Sequence, residues 1–103
     1  MPEDTTAEQA APEDLWRLRR SIDNIDTALV AMLAERFRVT REVGQLKARH
    51  RLDAVDVARE EAKVARLRET AARAGLDEDF AEEFIRRVMA EVVRQHREIA
   101  QKG

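Results

Sequence analysis

The chain has 103 residues, 39% of them charged and 44% hydrophobic, and a formal net charge of -2. That balance suits one amphipathic domain with no global attraction to nucleic acid. The lack of cysteine excludes disulfides, thiolate nucleophiles and thiolate-held metals. No apolar run approaches the roughly 20 residues that cross a membrane, and His50 and His96 do not stand at metal-ligand spacing.

Residues 1–13 contain both prolines, Pro2 and Pro12, and almost no large apolar side chain, so they read as a disordered N-terminal tail. This start is acidic and polar, unlike a signal peptide, and the expected setting is cytoplasmic. Residues 14–103 read as one helical domain. The first helix is expected to start near Pro12–Asp14, where acidic side chains suit the positive end of the helix dipole. It is expected to run to about Ala48. Its stripe reads Leu15, Leu18, Ile22, Ile25, Leu29, Met32, Arg36, Val39, Val43 and Leu46. Gly44 is its only weak helix former, costing about 1 kcal/mol relative to Ala.

Residues 49–56 lose the period and predict a loop, with Asp53 or Asp56 capping the next helix. The second helix carries Val57, Glu60, Val64, Leu67, Ala71 and Ala74 on one face, and Gly75 is its stop signal. Asp77 then caps a third helix, with Leu76 before it as a staple residue. The apolar face of that helix holds Phe80, Phe84, Ile85, Val88, Met89, Val92 and Ile99, and on a helical wheel Gln95 and His96 fall within it. The fold class is therefore all-α: three helices, the first of them long.

About 35 residues of helix span roughly 50 Å. Two shorter helices cannot cover an apolar stripe of that length, and an uncovered stripe is an exposed hydrophobic patch. A second copy related by a two-fold axis would cover it, so an intertwined helical homodimer is expected.

Two charges interrupt the stripes. Nine members of the first stripe are apolar and the tenth is Arg36, and Glu60 is the charged member of the second. An arginine stays charged at any physiological pH and needs an anionic partner when buried. A structural Arg36–Glu60 salt bridge is one explanation. Alternatively, Arg19, Arg36, Lys47 and Arg59 set against one Glu60 leave three positive charges in excess. A dicarboxylate ligand would use that excess, because guanidinium forks bind carboxylates bidentately. Arg19 and Arg36 are seventeen residues apart, about 25 Å along one helix, so one chain cannot close both on one small ligand. In an antiparallel dimer, Arg19 of one copy approaches Arg36 of the other and forms a composite site.

The segment Leu18-Arg19-Arg20-Ser21-Ile22-Asp23-Asn24-Ile25-Asp26 resembles the opening motif L-R-x-x-I-D-x-I/L-D of the all-helical chorismate mutase family. Leu33-Ala34-Glu35-Arg36, followed by Val43 and Lys47, resembles L-x-x-R…V-x-x-x-K, and Asp56-Val57-Ala58-Arg59-Glu60 resembles D-x-x-R-E. The three motifs fall in the family's order and spacing. The resemblance implies conversion of chorismate to prephenate, on the route to phenylalanine and tyrosine, in an intertwined dimer with no cofactor and no metal. It implies that Arg19 reaches across the dimer to a carboxylate and that Arg36 holds a carboxylate in its own chain's site. Lys47 is implied to meet a carboxylate and the ether oxygen. Asp56 acts through its backbone, Glu60 takes the ring hydroxyl, and Arg59 shapes the local charge. Where the family commonly has Ser and Gln in the third helix, an ungapped match places Val92 and His96. Val92 would then be a wall and His96 a hydrogen-bond donor to the ether oxygen, whereas a one-residue slip would put Gln95 there. Arg36, Lys47 and His96 are thus the expected catalytic residues.

The alternatives on the same scaffold are isochorismate pyruvate lyase and a mutase for 4-amino-4-deoxychorismate. A non-catalytic helical dimerisation module is the alternative of another class. Neither nucleic acid nor membrane is an expected partner.

Overall fold

The computed structural model describes residues 12–102. Every element among the described residues is a helix: α1 (Pro12–Arg49), α2 (Val57–Ala74) and α3 (Glu78–Lys102). Pro12 and Glu13 already belong to the first turn of α1; the rest of the expected tail lies outside the described residues. Proline suits that place, because the first helical turn has no use for its missing N–H. No described helix is long and apolar enough to cross a membrane.

The helix boundaries follow local chemistry. Asp56 has extended backbone (φ -128°, ψ 96°), and its Oδ1 accepts from the Arg59 N–H at 3.1 Å. Asp77 caps α3 likewise, its Oδ2 accepting from the Phe80 N–H at 2.8 Å. Gly75, at φ 79°, closes α2. There the Leu76 N–H reaches the Ala71 carbonyl and the Gly75 N–H the Ala72 carbonyl, the paired bonds of a Schellman stop. At the end of α1 the Leu52 N–H reaches the Lys47 carbonyl at 2.8 Å and the Arg51 N–H the Ala48 carbonyl at 3.2 Å. This is the same motif, built on a residue with a side chain.

The described residues divide into two compact units, one ending at Arg36 and one starting at Phe37. In the first unit, Leu18, Ile22, Ile25, Leu29 and Met32 are all exposed, Ile25 at 61% and Met32 at 64%. In the second unit, α2 and α3 pack as an antiparallel hairpin. Val64 and Ala71 of α2 and Ile85, Val88 and Met89 of α3 form its buried core. Ion pairs flank this core. Arg68 bonds to Asp79 and Glu82, Glu82 also accepts from Arg86, and Arg86 reaches back to Glu61. The last turns of α1 join this unit along Thr40, Gly44 and Lys47, whereas Val39, Val43 and Leu46 are exposed.

Candidate functional site

Residues Arg36, Thr40, Gly44 and Lys47 recur at helical spacing on one face of α1. Arg36, Thr40 and Lys47 are half-buried and Gly44 is buried. Arg36 holds its Nη1 out of solvent with no hydrogen-bond partner. Glu60 is half-buried. A buried guanidinium nitrogen with nothing to donate to is costly, and an incoming anion relieves that cost.

Arg19 is exposed, its guanidinium carbon 5.2 Å from the centroid of the Trp16 ring. The arrangement is a cation–π contact that extends the side chain along the helix.

In the second unit, the Lys47 ammonium donates to the Ala54 carbonyl across 3.4 Å, a long and weak bond. The loop of residues 50–56 therefore folds back over the end of α1. Asp56 uses its carboxylate as the α2 cap and its carbonyl to accept from the Glu60 N–H at 3.0 Å. Arg59 donates its backbone N–H to that cap and has an exposed side chain. Glu60 faces an open groove of about 620 Å³ that Val55, Met89, Val93 and Arg97 also line. Lys47, Val92 and His96 are not part of that groove's wall.

His96 is 5% exposed, and its Nε2 lies 2.8 Å from the Thr40 carbonyl oxygen. A carbonyl only accepts, so Nε2 carries the hydrogen. The other ring nitrogen, Nδ1, is buried without a partner. A neutral ring so placed offers a ligand an acceptor and no donor. Gln95 is also engaged, its Nε2 donating to Glu91 at 3.0 Å while its Oε1 is buried and unpartnered. The Arg94 guanidinium, and then the Gln95 amide, hold the Glu91 carboxyl down at about 2. Val92 is half-buried.

Three participants carry no sequence signal of their own. The carbonyls of Thr40 and Ala54 are backbone acceptors, and Gly44 reads only as a weak helix former. The one available hint is that Gly44 shares a face with Thr40 and Lys47. No group of side chains among the described residues is arranged to hold a metal ion.

Residues 18–97 match the chorismate mutase type II family. The T-protein of Enterobacter agglomerans is 38% identical over 78 residues, covering 76% of this chain and 21% of that protein. The T-protein of Haemophilus influenzae is 35% identical over 79 residues, covering 77% of this chain and 21% of its own length. The chain thus spans about a fifth of the length of these curated relatives. The match takes in Arg19, Arg36, Lys47, Asp56, Arg59, Glu60, Val92 and His96 together, and the Asp56 that opens one of the motifs is the N-cap of α2. The chain belongs to the chorismate mutase type II family.

Proposed function

We propose that the chain catalyses the rearrangement of chorismate to prephenate as a homodimer with composite sites. The observation that carries this reading is Arg36, whose buried Nη1 has no acceptor among the described residues. A dicarboxylate supplies that acceptor. The reaction is unimolecular and pericyclic, so it requires neither a nucleophile nor a proton transfer. What it requires is selection of the compact conformer and stabilisation of charge as the C–O bond breaks.

Arg36 from one copy and Arg19 from the other clamp the two carboxylates, converting binding into orientation. Lys47 leaves its weak bond to Ala54 and places its ammonium at the ether oxygen, where negative charge grows. Glu60 accepts from the ring hydroxyl, the Asp56 backbone helps hold it, Arg59 adds positive potential, and Val92 forms a wall. His96 belongs to the same wall.

The exposed stripe supports the two-copy assembly. Leu18, Ile22, Ile25, Leu29, Met32, Val39, Val43 and Leu46 stand at helical spacing and are all exposed in the single chain. A second copy removes them from water. Arg19 and Arg36 are seventeen residues apart on one helix, so a site that uses both takes Arg19 from the second copy.

Spectroscopic loss of chorismate with the purified protein, with prephenate identified as product, tests the reading. No turnover would overturn it. Turnover of isochorismate to pyruvate, or of the 4-amino analogue alone, would move the activity to a neighbouring substrate on the same scaffold.

A further inference from the structure

Gly44 is the buried residue of α1. A Cβ at this position would lie 2.6 Å from His96 Cδ2, 3.0 Å from Ile99 Cδ1 and 3.2 Å from His96 Nε2. The first distance is shorter than real Cβ contacts allow, so the imidazole lies directly on the bare backbone of α1. Only from there does Nε2 reach the Thr40 carbonyl, 2.8 Å away and one turn earlier. Glycine is a weaker helix former than alanine, and the close approach of the ring is what its missing side chain permits.

Lys47 lies three residues after Gly44, a neighbour on the same helical surface. A slide of α3 along α1 would change the distance from the Lys47 ammonium to the wall that carries Val92 and His96. The Nε2–H···O=C bond and the close Gly44 contact together oppose that slide. One is directional and the other is steric, so they fix register as well as separation.

We propose that Gly44 and His96 are positioning residues that set the place of Lys47 relative to α3, and that His96 acts through the Thr40 carbonyl and not by donating to the substrate. The inference rests on the mutase reading above. It assigns His96 a role different from that of the glutamine common at this place in the family, while using the same kind of N–H group.

The test compares three replacements that separate the two ring nitrogens. Glutamine places its amide nitrogen near the position of Nε2, asparagine places its polar end near Nδ1, and leucine supplies neither. With chorismate as substrate, His96→Leu is expected to lower kcat by about 10-fold to 100-fold with little change in KM, the scale of a misplacement of about 1 Å. His96→Gln is expected to recover most of that loss and His96→Asn is not. Gly44→Ala is expected to lower kcat as His96→Leu does, because the new methyl group displaces the ring. Asparagine outperforming glutamine would overturn the proposal and make Nδ1 a substrate contact. A His96→Leu enzyme as fast as wild type would overturn it as well. The Gln and Asn pair decides the matter even where His96→Leu fails to fold. A wild-type protein without turnover would refute the mutase reading instead. Amide hydrogen exchange then tests the clamp alone, with faster exchange at residues 44–47 expected in His96→Asn than in His96→Gln. Equal exchange in the two would overturn it.

Discussion

Arg51 closes α1 with the backbone geometry that Gly75 uses to close α2: φ is 57° at the arginine and 79° at the glycine. Both residues stand at the C′ position of a Schellman stop. Glycine adopts this left-handed region freely, whereas a residue with a Cβ pays about 1–2 kcal/mol for it. Arg51→Gly is therefore expected to raise the unfolding free energy by about 1 kcal/mol. Gly75→Ala is expected to lower it by a similar amount, about 1 kcal/mol. Denaturant titrations at one fixed protein concentration measure both, and a destabilised Arg51→Gly would show that the arginine side chain holds the turn.

Arg36→Ala and Lys47→Ala should each reduce chorismate turnover by about 100-fold or more, the scale of losing a preorganised charge at a developing anion. Each variant should keep the helical circular dichroism of the parent, since neither side chain has an ion pair to lose among the described residues. Kinetics and spectra from the same samples provide the check, and near-parental rates in either variant would remove that residue from the site.

A composite site makes a sharper test possible. Arg19→Ala and Arg36→Ala homodimers should both be nearly inactive. Mixed and allowed to exchange, they form heterodimers in which one site has both arginines and the other has neither. Random exchange should restore about a quarter of parental activity, from half the dimers with one good site of two. No recovery, with exchange verified by mass spectrometry of the intact dimers, would place both arginines in one chain's site or exclude the two-copy arrangement.

Glu91 has its carboxyl held down at about 2 by Arg94 and Gln95, against an ordinary value of 4.5. A group depressed in the folded chain adds stability above its unfolded value and loses it as pH falls through the folded one. The Glu91 contribution should be complete near neutrality and fade between about 4.5 and 2. Glu91→Gln should flatten that part of the stability curve and leave its alkaline side unchanged, as urea midpoints across the acid range would reveal. The effect is modest because the pair is on the surface.

Asp56, Gly75 and Asp77 announce the limits of α2 and α3 in the sequence because each does a job that few residue types do well. The end of α1 is less legible, since Arg51 holds a conformation for which its side chain gives no warning. The apolar stripe is legible as a stripe, but its covering surface is absent from the single chain. Arg36 stands out correctly as a charge among apolar residues. The matching interruption at Glu60 admits a salt bridge or a ligand as the partner of that charge, and the pattern alone does not choose between them. The engagement of His96 was beyond the sequence for a simpler reason. Its partner is a main-chain oxygen, and every residue has one.

Gly44 and His96 also share one volume between two positions far apart in the chain. A larger residue at one place can be accommodated only by a smaller residue at the other. Single changes at either are expected to be poorly tolerated, while matched pairs survive. Drift through this part of the sequence would then proceed by compensated steps, with the hydrogen bond to Thr40 given up whenever the imidazole is the member that shrinks.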